Sequence, residues 1–169
     1  MQSKYRARRD QIKKACNALN ADAFLVSSLV NVRYLSGFTG SNGFLLISGN
    51  NDFLFTDSRY IEQGREQTCD QITVSLSSGF SAIEEVSRLY SVTDVVFESD
   101  QLTYSEFKGM EKLLNPRVNL IPSEGVVEKV RSVKDKDEID LIRKAAYLAD
   151  EAVTFAIQES KPGKSESWF

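Results

Sequence analysis

The segment Tyr34–Ile47 reads YLSGFTGSNGFLLI, with glycines at Gly37, Gly40 and Gly43 and the polar residues Thr39, Ser41 and Asn42 between them. A glycine-rich turn can cradle a phosphate when it leads from a strand into the N-terminus of a helix. Here the spacing is GxxGxxG and the order is reversed: a helical stretch precedes the loop and an apolar strand follows it. The loop therefore meets the carboxyl end of a helix, the wrong pole for an anion. The reading is a helix C-cap followed by turns, forming a surface loop with Phe38 at its tip, shaped to touch something. The later PGKS, Pro162 to Ser165, resembles the tail of a P-loop. The first glycine of that motif would fall on Gln158, and a helix precedes it, so it is discarded.

Carboxylates follow strand-like runs at Asp57 and in ESD, Glu98 to Asp100. Such positions gather ligand groups in α/β folds. Asp and Ser also begin turns, and no second carboxylate can be paired with either from sequence, so the structural reading is preferred. Arg59 and Tyr60 take the same default. The chain has no histidine, which excludes Ser-His-Asp and Cys-His catalysis and any imidazole zinc site. An all-carboxylate metal site is left open. The two cysteines, Cys16 and Cys69, form no CxxC and read as thiols in a reducing compartment.

Composition narrows the classes. A chain of 169 residues, 41% hydrophobic, can bury a core. A net charge of −3 without long single-sign blocks argues against nucleic acid. The cluster KYRARRDQIKK reads as the wet face of a helix. No run approaches a membrane span and the N-terminus lacks an apolar signal core, so a cytoplasmic location away from membranes is expected.

The elements that must position these residues alternate. Ser3 is expected to cap a first helix to about Leu19, with Tyr5, Ile12, Cys16 and Leu19 on one face. DAFLVSS is a short strand, and Ser28 caps the helix LVNVRYLS, which Gly37 ends in a left-handed cap. GFLLISG and DFLFTDS form a hairpin through GNND. RYIEQGREQ is one or two helical turns and QITVSL a strand. Ser81 and Glu84 suit a capping box for a helix with Ile83, Val86 and Leu89 inward. DVVFES is a strand. Thr103 and Glu106 suit a second box, with Phe107, Met110 and Leu114 inward and a stop at Asn115–Pro116. VNLIPS is the last strand. This pattern predicts an α/β domain: a mixed β-sheet flanked by helices on both faces. Asp135 and Glu138 then open a long helix with an apolar stripe of Ile139, Ile142, Ala146, Ala149, Val153 and Ala156.

DAFLVSSLVNVRYLSGFTGSNGFLLI, FLFTDSRYIEQ, VEKVRSVKDKDEIDLIRKAAYLADEA and KPGKSE, in that order, resemble the N-terminal part of the creatinase/prolidase/aminopeptidase P family. The resemblance runs from about Arg6 to Glu166. It implies a ribonuclease-H-like domain over residues 1–125, then a linker and the first helix of a pita-bread catalytic domain over 126–169. It implies a parent that cleaves the bond before proline, with two divalent metals, often manganese, held beyond this segment. The segment itself would hold no metal and no catalytic residue, and would be inactive alone. Its role would be to help form a homodimer and to lean over the mouth of the active site. Phe38, Asn42 and Arg59 would then belong to a loop at the entrance for a proline-containing peptide. Two rival readings are a stand-alone α/β module binding a small ligand near Asp57 and Glu98, and a nucleotide-dependent enzyme, which the helix polarity disfavours.

Overall fold

The computed structural model describes every residue except Met1, Asn50, Cys69, Asp70, Ser78, Glu166, Trp168 and Phe169, and the side chains of Gln2 and Ser3. The chain divides into two units, Met1–Arg131 and Ser132–Phe169.

The first unit is built on strands β1 (Ala23–Val26), β2 (Phe44–Ser48), β3 (Asp52–Thr56), β4 (Ile72–Leu76), β5 (Asp94–Glu98) and β6 (Asn119–Ser123). They form one six-stranded sheet in the order β4-β3-β2-β1-β5-β6. The hairpin β2–β3 and the β1–β2 pair are antiparallel, whereas β1–β5, β3–β4 and β5–β6 are parallel. The expected mixed sheet is thus present. The central strands are apolar on both sides because both faces are covered. Phe24, Val26, Leu45, Ile47, Leu54 and Val96 meet Ile12, Cys16, Val32, Leu35 and Val127 on one face. Those partners come from α1 (Gln2–Ala18), α2 (Leu29–Ser36) and α6 (Val126–Ser132). On the other face Ala23, Leu25, Leu46, Phe53, Phe55, Val95 and Phe97 meet Ile83, Val86, Met110 and Leu114. These project from α4 (Ser81–Tyr90) and α5 (Tyr104–Leu114). A short helix, α3 (Ile61–Gln67), connects β3 to β4.

Several local expectations are corrected. The first helix begins at Gln2, so Ser3 lies inside it, and Leu19 falls beyond its end and is exposed. The basic cluster is not uniformly wet. Arg9 shares the face of Ile12 and Cys16 and is only 1% exposed. Its Nε donates to Asp52 Oδ2 at 2.7 Å and its Nη1 to the Leu35 carbonyl at 2.9 Å, while Lys13 Nζ lies 3.0 Å from Asp52 Oδ1. Burial of the guanidinium is tolerated because it finds a carboxylate and a helix-terminal carbonyl together. Ser81 is inside α4, whose N-cap is Phe80, and the capping box expected there does not form. Leu89 is exposed, not inward.

The box at Thr103 and Glu106 does form, and Asp135 and Glu138, expected only to open a helix, form another. The latter opens α7 (Lys136–Glu159) in the second unit. Among the described residues of that unit the apolar stripe of α7 has no covering element, and none of the helix's residues is buried. Cys16 is a free, buried thiol pushed up to about 12 by desolvation, too high to supply a thiolate at neutral pH. Cys69 lies outside the described residues.

Candidate functional site: the loop between α2 and β2

Ser28 is the N-cap of α2, but its side chain makes no cap hydrogen bond. The acceptor comes from the end of β5. Glu98 Oε2 takes the Ser27 and Ser28 N–H groups at 2.7 and 2.9 Å, and Glu98 Oε1 takes Asn31 Nδ2 at 2.7 Å. Asn31 Nδ2 also reaches Glu128 Oε1 at 2.7 Å, and Asn31 Oδ1 accepts from Arg131 at 2.9 Å. Burial pushes the Glu98 carboxyl up from its ordinary value, opposed by these hydrogen bonds. Glu98 is therefore a helix cap supplied from another strand, and both its oxygens are engaged.

At its other end α2 stops at Gly37, which sits at φ +85° and donates its N–H to the Arg33 carbonyl. That is the left-handed cap the sequence requires. Phe38 follows, and here the structure departs from expectation. The ring is 1% exposed and belongs to the core, not to the loop tip. It meets Tyr60 edge-on at 6.1 Å between centroids. The loop lies directly over it: a Cβ at Gly40 would fall 2.2 Å from the ring, and one at Gly43 would fall 2.9 Å from the Phe55 carbonyl oxygen. These two glycines let backbone cross an aromatic ring and a strand at contact distance, with no phosphate involved.

What the loop shows to solvent is polar and latched to α3 and to the turn before it. The Thr39 N–H donates to Gln67 Oε1 at 2.8 Å, and Gln63 Nε2 donates to Thr39 Oγ1 at 2.9 Å. Ser41 Oγ and the Tyr60 hydroxyl are 2.7 Å apart. Asn42 Nδ2 donates to Asp57 Oδ2 at 2.6 Å, and the Asn42 carbonyl accepts from Thr56 Oγ1 at 2.6 Å. Asp57 also accepts from Arg59: from its N–H at 3.0 Å, Nε at 3.1 Å and Nη2 at 2.8 Å. The Arg59 and Asn42 hydrogen bonds hold the Asp57 carboxyl well below the usual carboxylate range.

The structure thus joins Asn42 and Arg59 through Asp57 and places Phe38 beneath them. Behind the loop, Asn42 and Gly43 border a cleft of about 360 Å³ whose lining includes Phe44, Phe55, Phe80, Leu102, Gln101 and Glu106. The sequence reading did not find the latch residues Thr39, Ser41, Gln63 and Gln67 or this aromatic cleft, because every contact joins segments separated in the chain. Among the described residues, no group of three or more His, Cys, Asp or Glu side chains stands together to hold a metal ion. No described helix is long and apolar enough to cross a membrane.

The creatinase/prolidase N-terminal domain family matches residues 8–133. The chain belongs to that family. An uncharacterised peptidase of Bacillus subtilis is 33% identical over 167 residues, covering 93% of this chain and 44% of that protein. The structure of the Xaa-Pro dipeptidase from Bacillus anthracis superposes with a TM-score of 0.86 at 28% identity, over 96% of this chain and 45% of that one. The N-terminal domain of the cytoplasmic peptidase PepQ from Mycobacterium tuberculosis H37Rv gives a TM-score of 0.69 at 35% identity, over 74% of this chain and 98% of that one. The chain therefore spans less than half the length of the B. subtilis and B. anthracis relatives.

Proposed function

We propose that this segment is the entrance domain of a proline-specific peptidase, acting as an Xaa-Pro dipeptidase or aminopeptidase. The observation that carries the reading is the family match together with the superposition on the B. anthracis Xaa-Pro dipeptidase over 96% of this chain. Residues 1–125 form the entrance domain, and 126–169 lead into the catalytic half. Among the described residues no group of three or more His, Cys, Asp or Glu side chains stands together to hold a metal ion, and the divalent ions of the parent, manganese by the family resemblance, are assigned to the catalytic half. No chemical step is assigned to this segment. The parent works as a homodimer in the cytoplasm on proline-containing peptides.

The part of this segment is to shape and line the entrance. Phe38 fixes the loop from below, which keeps its backbone at one height over β3. Asn42 and Arg59 form its rim. Because Arg59 is paired with Asp57, the rim is polar without net charge. That suits a peptide backbone, which offers amides instead of a localised charge. Asn42 spends its Nδ2 on Asp57, and its carbonyl Oδ1 is the acceptor left for an incoming N–H. The stand-alone ligand module is not favoured, since Glu98, one of its two named carboxylates, is consumed as a cap for α2.

The test has two parts. The 169-residue chain, incubated with manganese and a chromogenic Xaa-Pro substrate, is expected to show no turnover. Turnover that survives repurification would sink the reading. In the full-length protein, Asn42→Ala and Arg59→Ala are expected to raise KM several-fold with a smaller change in kcat, as loss of uniform binding requires. Unchanged KM in both would remove these residues from the entrance.

A further inference from the structure

Asp57 does more than its turn requires. It follows β3, and its Oδ1 accepts the Arg59 N–H at 3.0 Å, two residues on, as an Asx turn does. One carboxylate oxygen completes such a turn, yet here both oxygens are used. Arg59 approaches side-on, with Nε donating to Oδ1 at 3.1 Å and Nη2 to Oδ2 at 2.8 Å. Oδ2 also takes Asn42 Nδ2 at 2.6 Å, from a loop 15 residues earlier in the chain. The paired fork matches a planar guanidinium and fixes its direction. The Tyr60 ring centroid lies 5.1 Å from the same guanidinium carbon, and the Tyr60 hydroxyl reaches Ser41 Oγ.

The ion pair is lopsided in exposure. The Arg59 side chain is 66% exposed and that of Asp57 only 22%. A peptide at the rim therefore meets the guanidinium first, with its charge balanced from behind. An unpaired arginine in that place would draw acidic peptides and hold them by charge. A carboxylate left alone there would repel them. The pairing cancels both preferences. It persists into mildly acidic solution, because Arg59 and Asn42 keep the carboxyl ionised well below the usual carboxylate range.

We propose that Asp57 is a positioning residue that sets the charge selectivity of the entrance. Without it the Arg59 cation would favour acidic peptides; with it, neutral and acidic peptides pass this rim on equal terms. The proposal rests on the entrance reading and adds to it a residue that answers for substrate class.

The test uses the full-length peptidase and two peptides that differ only in Glu for Gln at the residue before proline. The ratio of their kcat/KM values does not depend on how much of the enzyme is folded. Asp57→Asn keeps an acceptor for Asn42 but leaves the Arg59 charge unbalanced. It is expected to raise the Glu-to-Gln ratio about two- to five-fold, mainly through KM, and to lose that gain in about 0.5 M salt. Arg59→Gln leaves the carboxylate alone and is expected to lower the ratio by a similar factor. The double variant Asp57→Asn, Arg59→Gln carries neither charge and is expected to restore the wild-type ratio, which damage to the loop would not do. If both single variants keep the wild-type ratio while Arg59→Ala still raises KM, the Asp57 assignment is overturned and the entrance stands. If KM is also unchanged in Asn42→Ala and Arg59→Ala, both are overturned. Single variants that shift the ratio the same way, or a double variant that fails to restore it, overturn the Asp57 assignment alone.

Discussion

Gly40 is the residue whose replacement is most sharply constrained. A methyl group there would fall 2.2 Å from the Phe38 ring, which is itself enclosed by the core. Gly40→Ala is therefore expected to cost about 1–3 kcal/mol, as overpacking does, and to shift the urea midpoint without changing the slope. Pairing it with Phe38→Leu should recover part of the loss in a double-mutant cycle. Arg9 sets a second expectation. Arg9→Ala leaves Asp52 buried against only Lys13, and about 3–5 kcal/mol is expected to be lost. The pair Arg9→Met, Asp52→Leu should cost much less, since the one charge left without its partner, Lys13, is partly exposed and still reaches the Gly49 carbonyl.

Titration follows from the same residues. The folded-state value of Asp57 is depressed, so its stabilising contribution is present above its ordinary value of 3.8 and fades as pH falls below it. The folded-state value of Glu98 is raised, so the native form holds that proton more tightly, and its contribution to stability falls as pH rises past 4.5. Carbon-detected NMR titration is expected to place the two carboxyls on opposite sides of their ordinary values. Asp57 on the wrong side would contradict the hydrogen bonding described for it, and Glu98 on the wrong side would contradict the dominance of its burial over its hydrogen bonds.

Among the elements, capping separates what a sequence declares from what it conceals. At Thr103 and Asp135 donor, acceptor and spacing are all local, and the box at the first and the helix start at the second were legible as written. At Ser28 the right residue type stands at the right place, yet the acceptor comes from Glu98, 70 positions away. Pattern alone cannot see a partner at that range. The same limit explains Phe38: a phenylalanine in a glycine-rich turn reads as a tip until the fold places α3 beside it. Strand order was legible only as far as mixed pairing, because alternation fixes which face a residue takes and not which strand lies next to it. Asp135→Ala and Thr103→Ala are expected to cost about 1 kcal/mol of helix stability each. Ser28→Ala is expected to cost almost nothing. Glu98→Ala strands two backbone N–H groups and should cost about 1–3 kcal/mol, read from chemical denaturation.

For the molecule as a whole, the first unit has a core on both faces of its sheet, and the solved N-terminal domain of M. tuberculosis PepQ matches 74% of this chain. Residues 1–131 are therefore expected to fold alone with a single cooperative transition, which calorimetry checks by agreement of van't Hoff and calorimetric enthalpies. The borrowed cap on α2 bears on the order of assembly. The acceptor for Ser27 and Ser28 arrives with a strand 71 and 70 positions later in the chain, so the N-cap of this helix is not completed by local interactions, although its first turn closes locally from the Val32 N–H to the Ser28 carbonyl. Its cap must wait for a large loop to close. Kinetic φ-values at Asn31 and Val32 should then be low, with truncations there accelerating unfolding and leaving the refolding rate nearly untouched.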